Sequence, residues 1–228
     1  VGTAGQRCTT LRRLIVHESV YDDLMSKLKP AYASLPVGDN FDESTLVGPL
    51  INQESVDRMQ SVLEQAKAKG CETCVFGGDW HHNRASLNIS TMKYSLDGLR
   101  KLNNAFEKVY FILGNHDLFY RETRDVNSVE FAKELPNIIL IDSVLSEGDC
   151  TFVSWLVGDE WKKIPKMRSK YMFGHFELPT FKLNAMVEMP DHGGLKSEMF
   201  TNQEFVFSGH FHHRQIKGNV IYTGNAFP

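Results

Sequence analysis

The 228 residues are 42% apolar and 23% charged, which excludes a disordered or fibrous chain and fits an ordinary globular one large enough to bury a core. A net charge of −3 excludes a globally basic binder of nucleic acid or of a membrane surface, so any contact with DNA has to come from a local patch. No run approaches the roughly 18 apolar residues of a membrane span, and the chain opens on Val1 with neither a secretory leader nor an initiating Met, so it is expected to be a fragment.

In chain order, Leu11 to Val16 reads as a strand. A helix follows, with Val20, Leu24, Leu28, Ala31 and Leu35 at near-helical spacing and Ser19 as a candidate N-cap. Pro36 to Pro49 reads as loop. A second helix is predicted from about Glu54 to Lys69, its apolar face being Val56, Met59, Leu63 and Ala66, and Gly70 ends it. Cys71 to Phe76 is a predicted strand closing on Gly77-Gly78-Asp79. Its Cys71-x-x-Cys74 spacing supplies half of a zinc site, or simply small residues entering a strand. Four cysteines in the whole chain are too few for a disulfide scaffold and point to a reduced, cytoplasmic setting.

A third helix carries Met92, Leu96, Leu99 and Phe106 on one face, and Lys108 to Leu113 is a buried strand. Further strands are predicted near 138–141, 151–156, 171–173, 205–207 and 219–222. Helices alternating with strands, then a run of strands, make the fold class mixed α/β.

Four apolar strands each end in a glycine followed by a polar residue: Gly78-Asp79, Gly114-Asn115-His116-Asp117, Gly174-His175 and Gly209-His210-Phe211-His212. Strand ends of one sheet share an edge, so side chains distant in sequence can converge there. Carboxylate, amide oxygen and imidazole suit hard or borderline divalent ions, and two such ions activate water against a phosphate. Five of the nine histidines (His81, His116, His175, His210 and His212) fall in these clusters, which argues against five unrelated structural histidines.

These motifs, with Gly78-Asp79-Trp80-His81-His82-Asn83-Arg84 around the first, resemble the calcineurin-like metallophosphoesterase superfamily, and in particular the phage and bacterial SbcD-type exonuclease subunit. The resemblance spans about residues 71–228. It implies an αββα sandwich, two manganese-type ions, cleavage of phosphodiester bonds in DNA, and an SbcC-type ATPase partner in a bacterial or phage-infected cytoplasm, with a homodimer as a further expectation and no membrane. Carried over, it makes Asp79 the bridging ligand, places Asn115, His175 and His210 on the second ion and His212 on the first, and makes His116 the acid.

Two features depart from that family. Residues 1–70 contain no D-x-H opening motif, so the first ion lacks ligands, and His81 or His82 is the candidate replacement. Asp79-Trp80-His81 has the opening spacing itself, but the 36 residues from Asp79 to Asn115 fit one strand–helix–strand unit and favour the bridging role. The chain also stops at Pro228, so the family's capping region is expected to be missing from it.

The first seventy residues resemble a different family. Gly5-Gln6-Arg7-Cys8-Thr9-Thr10, Arg12-Arg13-Leu14-Ile15-Val16-His17 and Val47-Gly48-Pro49-Leu50 are similar to aldehyde dehydrogenases of the antiquitin-like branch, which makes Cys8 the thiolate nucleophile. No G-x-G-x-x-G follows a strand anywhere, so NAD is not expected and Cys8 is expected to be idle. The sequence therefore divides into a dehydrogenase-like αβ fragment, 1–70, and an incomplete metallophosphoesterase domain, 71–228, joined as in a chimeric reading frame. The functional expectation is a metal-dependent nuclease, against a non-catalytic metal- or DNA-binding remnant or a dehydrogenase fragment.

Overall fold

The computed structural model describes residues 18–35, 53–82, 86–87, 89–183 and 187–224; the predicted strand at 11–16, the loop at 36–49 and Cys8 lie outside them. The chain divides into two compact units, Val1–Gln60 and Ser61–Pro228. In the first, helix α1 spans Glu18–Ala33, with half-buried Leu24 and Leu28 at the spacing that predicted it. Ser19, the candidate N-cap, lies within the described helix.

Helix α2, Gln53–Ala68, closes as its sequence requires. The Cys71 N–H donates to the Ala66 carbonyl and the Gly70 N–H to that of Lys67, while Gly70 holds a φ of 74°. This pairing is the Schellman arrangement, and its left-handed residue is the position that glycine occupies at least cost.

In the second unit, strands β1 (Thr73–Phe76), β2 (Lys108–Ile112) and β3 (Ile138–Ile141) form a parallel three-stranded sheet, with helix α3 (Ile89–Ala105) crossing from β1 to β2. Strands β4 (Val144–Glu147), β5 (Cys150–Val153), β6 (Tyr171–Gly174), β7 (Phe205–Ser208), β8 (Gln215–Lys217) and β9 (Val220–Tyr222) form a second sheet in the order β4-β5-β6-β7-β9-β8. Its central pairs are parallel and its two outer pairs antiparallel. Strands β4 and β8, which the sequence did not predict, are these outer strands, and their residues are mostly exposed.

Side-chain alternation along β2 sorts the layers. Val109 and Phe111 face Leu99 and Leu102 of α3, with Leu63 and Ala66 of α2 packed on the same cluster. Tyr110 and Ile112 face the other way, onto Phe152 of the second sheet, whose ring stacks on Tyr110 at 4.0 Å. The far side of the second sheet buries Val153, Met172, Val206 and Tyr222 under Ile164, Phe176 and Phe181. That outer cover consists of loops and short 3-10 segments at Gly158–Lys166 and Ser197–Met199. The fold is thus mixed α/β with parallel sheets, but the αββα layering expected from sequence is not what forms, because the fourth layer is not helical among the described residues.

Among the described residues the sheets are unequal, three strands against six. The inner cross-strand row Phe152, Phe173, Phe207, Ile221, Ile216 therefore starts buried at β5 and becomes exposed at β8, where Ile216 is 57% accessible.

Candidate functional site

The carboxyl ends of β1, β2, β6 and β7 bring Asp79, Asn115, His175 and His210 together. Gly114 lets two of these ends approach closely: a Cβ there falls on the Asp79 main-chain nitrogen and carboxylate, well inside van der Waals contact. Asp79 and His210 hold φ angles of 61° and 85°, a left-handed conformation that side chains resist and that strained sites often contain.

The hydrogen bonds fix how each group faces the centre. His175 is buried, and its Nδ1 lies 2.7 Å from the Gly77 carbonyl, so that nitrogen carries the proton and Nε2 turns its lone pair inward. Nε2 is 3.2 Å from Asp79 Oδ2, from Asn115 Oδ1 and from His210 Nδ1. His210 is held in the same way, with Nε2 3.1 Å from Glu177 Oε2 and Nδ1 turned inward, 3.2 Å from Asn115 Oδ1. Four electron-pair donors thus face one another, an arrangement that repels itself unless a proton or a cation sits among them.

A proton shared between Asp79 and His175 relieves that repulsion, and the two groups shift in the direction that favours it. Burial opposes ionisation of Asp79, but the His175 charge and hydrogen bond, with the His116 N–H at 2.8 Å, hold its carboxyl down at about 2. Burial alone depresses His175, yet the Asp79 carboxylate outweighs it and raises the imidazole above its ordinary range. Burial lowers His210, only partly offset by Glu177. An imidazole whose second nitrogen is held by a carbonyl or carboxylate is the usual support for a metal ligand, and this donor set fits a borderline divalent ion.

Among the described residues, Asp79, His175 and His210 form the one group whose carboxylate and imidazole donors lie within 4.8 Å of one another. Exposed His212 is not in that group. His81 does not replace a ligand: it is buried, and its two ring nitrogens lie 2.8 Å from the Ser128 and Ser95 hydroxyls. Trp80 donates to that same Ser95 hydroxyl, so this histidine ties the loop after β1 to α3. His82 is exposed and stacks on His116 at 5.5 Å, and its carbonyl lies 3.0 Å from His116 Nδ1. The expected pair of ions is therefore corrected to a single set of donors. Cys74 lies outside that group, and burial pushes its thiol up to about 11.

Sequence reasoning missed the supports. Asp117 is fully buried and accepts N–H bonds from Asp79, His81 and Gly114. Burial pushes its carboxyl up to about 6 against the pull of those donors. It is the last residue of the Gly114–Asp117 motif, and Glu177 stands two residues after His175; both were visible as acids beside a motif, though not as supports.

Residues 1–90 match the family described as Aldehyde dehydrogenase family. Alpha-aminoadipic semialdehyde dehydrogenase of Bos taurus is 49% identical over 78 residues, 34% of this chain and 14% of that protein. Aldehyde dehydrogenase family 7 member A1 of Brassica napus is 47% identical over 70 residues, 31% of this chain and 14% of its own length. Aldehyde dehydrogenase family 7 member B4 of Arabidopsis thaliana is 46% identical over 113 residues, 50% of this chain and 22% of its own length. The chain thus spans between about a seventh and just over a fifth of these relatives.

These matches overturn the expectation of a metal-dependent phosphoesterase or DNA exonuclease, and with it the hydrolase, DNA-repair and phage assignments. They also overturn the expectation of manganese without NAD, because a dehydrogenase removes hydride and needs a nucleotide to accept it. The dehydrogenase resemblance read from the first seventy residues stands, and it extends to residue 90: this N-terminal segment is aldehyde-dehydrogenase-like.

Proposed function

We propose that the N-terminal segment serves NAD-dependent oxidation of an aldehyde, with Cys8 as its nucleophile. The observation that carries this reading is the family match over residues 1–90, which includes Cys8 in Gly5-Gln6-Arg7-Cys8-Thr9-Thr10. In that reading the Cys8 thiolate would add to the aldehyde carbon, NAD when bound would supply the hydride acceptor, and water would then release the acid and the free thiol from the thioester. The names of the relatives make α-aminoadipic semialdehyde the first substrate to try. The test follows NADH formation from that aldehyde and NAD. A signal abolished by Cys8→Ser supports the reading; no signal, or one that Cys8→Ser leaves intact, overturns it.

A second reading is favoured by the four converging donors. We infer that Asp79, Asn115, His175 and His210 bind one divalent transition-metal ion, with His116 as a proton carrier at the rim. Asp79 and the two imidazoles supply the charge and the lone pairs, and Gly77 and Glu177 orient the rings. Calorimetric titration with zinc is expected to give about one ion per chain, and to lose it in Asn115→Ala and His210→Ala. Equal binding by wild type and both variants would sink the centre.

A further inference from the structure

Trp155 follows β5 and stands beside the ion centre. Its ring centroid lies 5.3 Å from that of His210 and 5.9 Å from that of His175, T-shaped to the latter at 68°. The two imidazoles are themselves T-shaped, 5.1 Å apart. Three aromatic rings in mutual contact leave each little freedom to turn.

What fixes Trp155 lies further out. Its N–H donates to the Leu113 carbonyl at 2.8 Å, two residues before the ligand Asn115. Its carbonyl accepts from Arg124 Nη1 at 2.7 Å. The same guanidinium grips Glu160 in a fork, Nη1 to Oε2 at 2.8 Å and Nη2 to Oε1 at 2.7 Å. Glu160 Oε2 also accepts the Val157 N–H at 2.9 Å. The segment from Trp155 to Val157 is therefore pinned at both ends by one ion pair, whose side chains are only 14% and 28% accessible. Such a planar, two-point grip fixes orientation in a way that a point charge cannot.

We propose that Arg124 and Glu160 are positioning residues for the ion centre, acting through Trp155. The ion pair sets the indole, and the indole holds the His175 and His210 rings with their lone pairs converged. This rests on the reading of Asp79, Asn115, His175 and His210 as an ion site. Neither Arg124 nor Glu160 touches the ion. Their effect is on how ready the site is before binding, where supports of this kind change metal affinity by about 10- to 100-fold.

The experiment measures zinc affinity by calorimetry on the full chain for wild type, Arg124→Ala, Glu160→Gln, Trp155→Ala and Trp155→Phe, with far-ultraviolet circular dichroism for each. Trp155→Ala and Arg124→Ala are each expected to weaken zinc about tenfold, with Trp155→Phe recovering most of what Trp155→Ala loses. Arg124→Ala combined with Trp155→Ala is expected to be no worse than Trp155→Ala alone, because both act along one path. Cobalt is expected to quench Trp155 fluorescence in wild type and less so in Glu160→Gln, a signal that a purely structural role leaves unchanged. Additive losses, or unchanged affinity in folded Glu160→Gln and Trp155→Ala, overturn the proposal while leaving the ion centre standing. A wild-type chain that binds no zinc overturns both.

Discussion

Asp117 joins two strand ends by accepting main-chain N–H groups from Asp79, His81 and Gly114 while having no exposed surface. An asparagine there keeps the volume but points an amide donor at groups that are themselves donors. Asp117→Asn is expected to cost about 2–3 kcal/mol of stability, the cost of leaving buried donors unmet. Urea unfolding of the two chains measures it, and a loss below about 0.5 kcal/mol would contradict the role, since that is the range of ordinary surface changes. The convergence of Asp79, Asn115, His175 and His210 was legible because each follows a glycine at the end of an apolar strand. Their supports were not, because the Gly77 carbonyl reaches His175 across 98 residues. His81 shows the reverse error: proximity to Asp79 suggested a ligand, whereas Ser95 and Ser128, 14 and 47 residues away, turn it into a buried strut.

The secondary-structure elements were legible wherever burial leaves an apolar run or a helical stripe. β2, β3, β6 and β7 appear close to their predicted positions, and α3 shows its predicted face through buried Leu99, with Phe106 buried just after its last residue. β4 and β8 escaped because they lie at sheet edges, with one or two apolar residues each and no alternation to betray them. The end of α2 is the most directly readable boundary, and it can be tested alone. A Cβ on Gly70 meets nothing within 4 Å, so any cost of substitution is purely conformational. Gly70→Ala is expected to lose about 1–2 kcal/mol by the left-handed penalty, and Gly70→Asn less, since asparagine tolerates that region. Thermal unfolding of the three chains gives the order; equal midpoints would remove the argument.

At the scale of the whole molecule, acid resistance depends partly on Glu160. Its hydrogen bonds to Arg124 hold its carboxyl below the ordinary glutamate range, with burial opposing. A carboxyl depressed in the folded state stabilises fully above its unfolded value, near pH 4.3, and loses that contribution as pH falls through the folded one. Glu160→Gln is therefore expected to be less stable than wild type by about 1–2 kcal/mol at neutral pH, with the gap closing in acid. Chemical denaturation at several pH values would show it, and a gap that stays constant or widens on acidification would refute the linkage.

The three-against-six mismatch of the described sheets is expected to set the colloidal behaviour of the molecule. Exposed Ile216, with Phe205 at 39% accessibility on the neighbouring row, gives water a continuation of the interior. Apolar surface of that kind is adhesive in proportion to its area, and concentration decides whether the adhesion is felt. Ile216→Thr with Phe205→Thr is expected to reduce light scattering at high protein concentration, with little change in unfolding midpoint. Undiminished scattering would place the sticky surface elsewhere. If the row is responsible, handling the protein dilute preserves it better than cooling does, because the attraction between apolar surfaces changes little over a few degrees while encounters between molecules rise with the square of concentration.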